Sequence, residues 1–434
     1  MRPAPSQLRV LILVFIAGLT LLVWPTLLPA WYALIGGTVL VSLIDAVRLL
    51  RLERPQATRR VNPTLALGVT RPITLRIENP DRRALRLDLH DHHPDSMRTA
   101  DLPLSTRVDG GQFANQSYDL TPLERGNHAF GPIDLRVHSP LSWWTRRTVV
   151  PADETVRVFP NFAAVSKYAI LGVDAQTAAG GLQLRPRRGE GSEFHQLREY
   201  RQGDTFRQID WKATARISRL ITKDYQEERD QQIVFLVDTG RRMLAREDGL
   251  SHFDHVLNSM LLLSYVALRQ GDAVGFLTCG ANPRWVAPRK GLSTMSTLTR
   301  QLFDLEPEEH AVDYQAAATS LAVRQKRRAL VVLLTNVRDE DLDDLRAAFG
   351  LLRRRHVLLV ASIREPGIDD ILDQPVEDFR AARDFAAAHH YLQSRRRTLD
   401  ALAARGVVLE DTSCADLPRA IAHRYLDIKR AGVL

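Results

Sequence analysis

Glu193, His195, Asp204 and Asp210 lie close together in sequence and have the side-chain types that acid–base catalysis uses. With Ser192 beside them, they raise the prospect of hydrolysis through an activated hydroxyl. The spacing works against it. Adjacent residues on a strand face opposite ways, so Glu193 and His195 alone would share a face, giving one hydrogen bond rather than a triad. His90, His92 and His93, beside Asp91 and Asp95, have metal-ligand types. They lack the i, i+4 order that sets two imidazoles on one helix face, so they read as a polar turn. Nucleotide hydrolysis is excluded on different grounds: no Gly-x-x-x-x-Gly-Lys-Ser/Thr loop occurs. Gly180-Gly181 and Gly189-Glu190-Gly191 lack the strand and helix flanks of a phosphate cradle and read as flexible joints.

The elements that must position these residues change character along the chain. No charged side chain occurs in residues 10–44. One helix over that stretch would be about 52 Å long against a hydrocarbon core of about 30 Å. Pro25 and Pro29 fall in the middle, with Trp24, Trp31 and Tyr32 around them, so the economical reading is a transmembrane helical hairpin over residues 1–52. Arg2 and Arg9 precede the first span, and Arg48, Arg51, Arg54, Arg59 and Arg60 follow the second. The positive-inside rule then places both ends in the cytoplasm, with a multi-pass anchor in the inner (cytoplasmic) membrane. A cleaved signal peptide ending near Ala30 is the competing reading, and it leaves the apolar run 33–44 without a role. Asp45, one turn before Arg48, is expected to form an interfacial ion pair with it. The net charge of +8 is partly explained by arginines meeting lipid headgroups. Cys279 and Cys414 are the only cysteines, which suits a reducing compartment and offers no disulfide framework or Cys-based zinc site.

Residues 55–160 carry short alternating runs at 73–77, 85–89 and 133–137, separated by turn residues, and read as a β-sandwich. Residues 161–230 form a linker. In 231–434 strand and helix patterns alternate: strands at 233–237, 273–278, 329–334 and 356–363, and helices at 253–268, 341–353, 376–401 and 417–429. That alternation predicts a mostly parallel, doubly wound α/β sheet whose ligand-binding positions follow the carboxyl ends of its strands.

Within the linker, Glu193, Arg198, Tyr200, Gly203, Asp204, Arg207, Asp210, Trp211, Lys212 and Arg216 belong to a stretch in which acidic and basic residues alternate around aromatics. A nucleic-acid groove would carry a basic excess; near-neutral mixed charge instead suggests ion pairs around apolar anchors. Gly-Ser-Glu-Phe through Arg-Glu-Tyr, Gly203-Asp204 to Arg207, and Ile209-Asp210-Trp211-Lys212 to Arg216 together resemble the signature of the bacterial domain-of-unknown-function-58 family. Gly131-Pro132-Ile133, Ser139-Pro140-Leu141 and Val158-Phe159-Pro160 resemble its usual arrangement too. The resemblance implies a von Willebrand factor A-like domain in the C-terminal half and a MoxR-type AAA+ ATPase as partner.

Such a domain can hold Mg²⁺ at the end of its first strand through an Asp-x-Ser-x-Ser loop. Here the strand ends in Asp238-Thr239-Gly240-Arg241-Arg242, so Gly240 and Arg242 stand where the serine hydroxyls belong, and neither supplies a lone pair to a cation. The later loop begins Thr335-Asn336, with Asp339 its first carboxylate and Thr294 a loose candidate for a remaining ligand. The metal site therefore reads as degenerate, with Arg241 or Arg242 either supplying charge near Asp238 or pointing into solvent. The expected function is a non-enzymatic, membrane-anchored adaptor without a cofactor, bound to protein and lipid and not to nucleic acid. A hydrolase acting on a cell-envelope or protein substrate through Glu193, His195, Asp204 and Asp210 is the alternative.

Overall fold

The computed structural model describes all residues except 20–23, 162–192, 202–203, 227–230, 248 and 434. The joints at Gly180-Gly181 and Gly189-Glu190-Gly191, together with Gly203, lie outside the described residues. The chain divides into two compact units, Met1–Phe159 and Pro160–Leu434.

The first unit begins with two helices. Leu28–Arg51 has 24 residues and is long and apolar enough to cross a membrane. At 1.5 Å per residue it extends about 36 Å. Pro29 sits in its first turn, where a missing N–H costs nothing. Pro5–Leu19 is apolar but has 15 residues, about 22 Å, short of a hydrocarbon core. Gln7 Nε2 donates to Ser42 Oγ at 3.0 Å, joining the two helices.

Beyond residue 52 the alternating runs become strands of mainly antiparallel sheets. Ile73, Leu75 and Ile77 point inward from Arg71–Glu78, as do Leu85, Leu87 and Leu89 from Leu85–Asp91 and Ile133, Leu135 and Val137 from Ile133–His138. Two larger sheets, of five and four strands, are bridged by a buried ion pair. Arg59, on Gln56–Arg60, donates from Nε to Asp91 Oδ2 at 2.9 Å, and the Tyr118 hydroxyl donates to the same oxygen at 2.7 Å. The guanidinium also lies 4.5 Å over the Phe130 ring. Two expectations are corrected here. Arg59 is not a membrane-flanking cation, because the period of two along its strand turns it inward with Ala57, where Asp91 meets its charge; and His90 and Asp91 lie on a strand rather than in a turn.

Asp45 is also corrected. It is buried and pairs not with Arg48 but with the loop after Ile133–His138, accepting from Ser139 Oγ and from the Leu141 N–H at 3.1 Å. Trp144 Nε1 donates to the Ser42 carbonyl at 3.1 Å. The end of the long helix is thereby fastened to the β part of its own unit.

The second unit is built on a six-stranded sheet in the order Trp285–Arg289, Ala273–Cys279, Gln232–Asp238, Leu330–Thr335, Val357–Ile363, Val408–Thr412. All neighbours pair in parallel except Trp285–Arg289, which is antiparallel at one edge. The period of two decides the packing. Ile233, Phe235 and Val237 join a core with the helices His252–Arg269, Ser293–Leu302 and Leu417–Arg430. Val234 and Leu236 join another with Tyr314–Arg324 and Leu342–Leu352. Both faces are thus covered, and the parallel strands read as continuous apolar runs. The sequence reading did not contain the strands Trp285–Arg289 and Val408–Thr412 or the helices Ser293–Leu302, Tyr314–Arg324 and Pro366–Asp373.

The buried Arg59–Asp91 pair gives a measurable asymmetry. Asp91→Ala orphans a buried guanidinium and is expected to destabilise the β part by about 3–5 kcal/mol, whereas Arg59→Met with Asp91→Leu costs much less. Chemical denaturation of both variants checks this; equal losses would contradict the pairing.

Candidate functional site

Asp238 is carried to the carboxyl edge of the sheet by Gln232–Asp238, beside Thr335 and Asn336 from the neighbouring strand end. Its carboxylate is buried and fully engaged by the protein. Oδ2 accepts from Thr335 Oγ1 and from the Tyr314 hydroxyl at 2.9 Å, and Oδ1 accepts from the Gly240 N–H at 2.7 Å. Burial pushes the Asp238 pKa up, against the pull of the Thr335, Gly240 and Tyr314 hydrogen bonds and of the Arg242 charge. Burial and the Asp238 charge also raise the Tyr314 pKa well above its ordinary value, so Tyr314 stays a neutral donor.

Gly240 has no room for a serine. A Cβ there would lie 2.8 Å from Val312 Cγ2 and 3.1 Å from both Asp238 Oδ1 and the His310 carbonyl. Arg242 turns to Asp341 and Glu340, with Nη1 donating to the Asn336 carbonyl at 3.2 Å. Burial works to lower its pKa, but the Asp341 bond and charge outweigh it and hold the pKa above the usual value. Of the two alternatives for the arginines, each residue takes a different course. Arg241 is exposed, and Arg242 acts on Asp238 through its charge while bonding to Asp341.

The other candidate ligands are engaged elsewhere. Asn336 Nδ2 donates to Glu365 Oε1 at 2.8 Å, Asp339 accepts from Ser394 Oγ at 2.8 Å, and Thr294 Oγ1 donates to the Lys290 carbonyl at 3.0 Å. One residue that sequence reading missed organises this edge. Arg395, buried on the helix Phe379–Ala403, donates from Nη1 to Asn336 Oδ1 at 2.8 Å and to the Val337 carbonyl at 2.6 Å. Its Nη2 donates to Ser362 Oγ at 2.7 Å, the Ile363 carbonyl at 2.6 Å and Asp411 Oδ1 at 2.6 Å. Nothing in the run Arg395-Arg396-Arg397 distinguishes it, and Tyr314 was equally unmarked.

The charged stretch before the sheet folds as a hairpin, Glu193–Glu199 with Ile221–Gln226, enclosing the short helix Trp211–Ile217. Arg198 grips Asp204 with both terminal nitrogens, at 2.7 and 2.8 Å, and the Arg201 N–H adds a bond to Asp204 at 2.8 Å. The Arg198 hydrogen bond, with that N–H, holds the Asp204 pKa at about 2. Asp210 caps the helix by accepting from the N–H groups of Lys212 and Ala213, both at 3.0 Å, and lies 3.4 Å from Lys223 Nζ. Two of the four carboxyl and imidazole groups read as acid–base candidates are therefore spent on architecture. The side chains of Glu193, His195 and Arg207 lie outside the described residues. Lys212 and Arg216 are exposed, and Tyr200 stacks on Phe206 with ring centroids 6.2 Å apart. Aromatic anchors buried among ion pairs were expected; instead Trp211 is 65% exposed and Phe206 75%. Among the described residues, a seven-residue helix over a two-stranded hairpin offers no second layer in which to bury them.

Residues 196–379 match the family model described as "Protein of unknown function DUF58". The chain carries a DUF58 segment. That segment contains most of the hairpin, Asp238, Gly240, Arg242, Tyr314, Asn336 and Glu365, and stops before Arg395 and Cys414. The chain is 22% identical over 226 residues to "Uncharacterized protein YeaD" of Bacillus subtilis (strain 168), spanning 52% of this chain and 54% of that relative. It thus spans about half the length of the curated relative it matches. Among solved structures, an aerotolerance-related membrane protein from Bacteroides fragilis has 13% identity and a TM-score of 0.25, over 38% of this chain and 99% of that one. A Salmonella alpha-2-macroglobulin variant has 14% identity and a TM-score of 0.20, over 24% of this chain and 7% of its own. Neither likeness reaches the level at which folds coincide.

Two measurements check the site. Isothermal calorimetry with Mg²⁺ is expected to give no saturable heat at Asp238, and Gly240→Ser to lower stability by about 1–3 kcal/mol through overpacking without creating binding. A micromolar Mg²⁺ isotherm that disappears in Asp238→Asn would contradict this. Asp204 supplies the pH dependence. Its folded pKa lies below the unfolded value of about 3.9, so its contribution is complete above that value and is lost as pH falls toward 2. Protection factors of the hairpin amides, taken relative to intrinsic exchange at each pH, should fall across that window, and Arg198→Ala should abolish the extra protection.

Proposed function

We propose that the chain is a non-enzymatic, membrane-anchored adaptor whose C-terminal unit is a von Willebrand factor A-like, doubly wound domain with a closed, metal-free edge. The exposed aromatic surface of the DUF58 hairpin carries this reading. Trp211, Phe206, Ile217, Leu220 and Leu197 are all exposed on one small module, while the ion pairs and cap beneath them fix its backbone. Large apolar side chains held outward on a rigid support are what a protein-binding surface requires. A catalytic site would instead need its carboxylates poised toward a cavity, and Asp204 and Asp210 are turned to Arg198 and to a helix cap.

The partner class is a MoxR-type AAA+ ATPase, taken from the family resemblance. The helix Leu28–Arg51 forms the anchor, with the shorter apolar helix Pro5–Leu19 joined to it through Gln7 and Ser42, and the folded units lie on the cytoplasmic side. The exposure of Leu34, Leu40, Leu43 and Ile44 along the longer helix supports contact with lipid.

Crosslinking in a detergent extract of the native cell, followed by pull-down of the full chain, tests the reading. Phe206→Ala with Trp211→Ala is expected to reduce ATPase recovery at least about tenfold, with a stability cost of at most about 1 kcal/mol because these rings are solvent-exposed. Unchanged recovery, or a cost of about 3–5 kcal/mol as for a buried ring, would overturn it.

A further inference from the structure

We propose that Glu247, His252 and Cys414 form a binding site for a thiophilic divalent cation, Zn²⁺ foremost, with solvent completing the coordination. Each offers one ligand atom, and the three atoms lie within 4.8 Å of one another. None of the three residues belongs to the Asp238 carboxylate's own contacts or to the docking surface, and the proposal goes beyond the sequence expectation, which offered no Cys-based zinc site. Cysteine spacing could not reveal it, because the three residues come from separate elements. Glu247 lies on the short hairpin Arg246–Glu247 with Leu250–Ser251, His252 opens the helix His252–Arg269, and Cys414 follows the strand Val408–Thr412.

The cluster is built rather than incidental to a mobile surface. His252 N–H donates to the Ala245 carbonyl at 2.7 Å, a Ser251–Asp254 capping box fixes the helix start, and His255 Nε2 lies 3.1 Å from the Glu247 carbonyl. His252 and Cys414 are both buried, and Cys414 belongs to the larger apolar core. Among the described residues His252 Nδ1 is buried without a hydrogen-bond partner, and Nε2 stands 3.8 Å from Glu247 Oε2, beyond hydrogen-bond reach. Buried polar atoms are rarely left so; an ion between these groups supplies the missing interaction.

The donor set selects the metal. Sulfur, imidazole nitrogen and one carboxylate suit Zn²⁺, whereas Mg²⁺ requires oxygen throughout. Zinc bonds of about 2.0–2.3 Å hold their donors about 3.3–3.6 Å apart, so the triad closes by up to about 1.5 Å around the ion. Glu365 is itself engaged by Asn336, Arg338 and Tyr391 and does not compete. On binding, the Cys414 S–H bond breaks, its proton passes to solvent and the thiolate takes the metal.

The full chain, chelator-treated in detergent, is titrated with Co²⁺ and then Zn²⁺. One equivalent of Co²⁺ should produce a thiolate-to-cobalt charge-transfer band that Zn²⁺ bleaches. Cys414→Ser should abolish the band, and since Cys279 is the only other cysteine, the assignment is unambiguous. Glu247→Gln, at a partly exposed position, should keep the melting temperature and weaken Zn²⁺ binding at least about tenfold. No stoichiometric band, a band surviving in Cys414→Ser, or unchanged affinity in Glu247→Gln overturns the site. Should Cys414→Ser fail to fold, the Glu247→Gln affinity decides.

Discussion

The second unit depends on one buried cation of its own, the guanidinium of Arg395. Where parallel strands end, their last carbonyls and nearby polar side chains lose sheet partners yet stay buried, and each needs a donor. Arg395 answers acceptors from three successive strand ends: Asn336 and Val337 after Leu330–Thr335, Ser362 and Ile363 at Val357–Ile363, and Asp411 in Val408–Thr412. Its own cost of burial, which lowers its pKa, is outweighed by the Asp411 hydrogen bond and charge. A fork of donors with no lone pair fits this arrangement, and a lysine point charge would not reach so many acceptors at once.

This arrangement engages the polar side chains of the Asp238 edge with one another. A cation at the ends of parallel strands organises the loops around it, and here Arg395 and Arg242 do so covalently attached to the chain. Asn336 gives its carbonyl oxygen to Arg395 and its amide to Glu365, and Asp238 gives both oxygens to Thr335, Tyr314 and Gly240.

Legibility in the sequence followed burial symmetry. Strands covered on both faces, such as Gln232–Asp238 and Leu330–Thr335, are unbroken apolar runs and were found within a residue or two. Val408–Thr412 was missed because an edge strand tolerates Glu410 and Asp411, which erases the run. Asp238 was visible as a strand-end carboxylate, while Tyr314 and Arg395 were not, since their roles arise only when separate helices pack against the sheet. Asp45 and Arg59 were misplaced for the same reason. A charge near a membrane segment reads as interfacial until a distant acceptor or donor, Ser139 or Asp91, claims it. Trp211 was misjudged in the opposite sense, because aromatics among mixed charges look like anchors when the number of layers is unknown.

That misjudgement separates the two apolar surfaces the chain presents. Along Leu28–Arg51 exposed leucine, isoleucine and valine run for the whole helix, an area that water would not leave uncovered and that lipid satisfies without directional bonds. On the DUF58 hairpin the exposed residues are few, aromatic in part and interleaved with Lys212, Arg216 and Arg219. Burying those rings against lipid would draw the neighbouring charges toward the hydrocarbon, whereas a protein partner can meet the rings with a pocket and the charges with carboxylates at its rim. The two surfaces thus differ in composition, an unbroken aliphatic run on the helix and rings interleaved with charge on the hairpin.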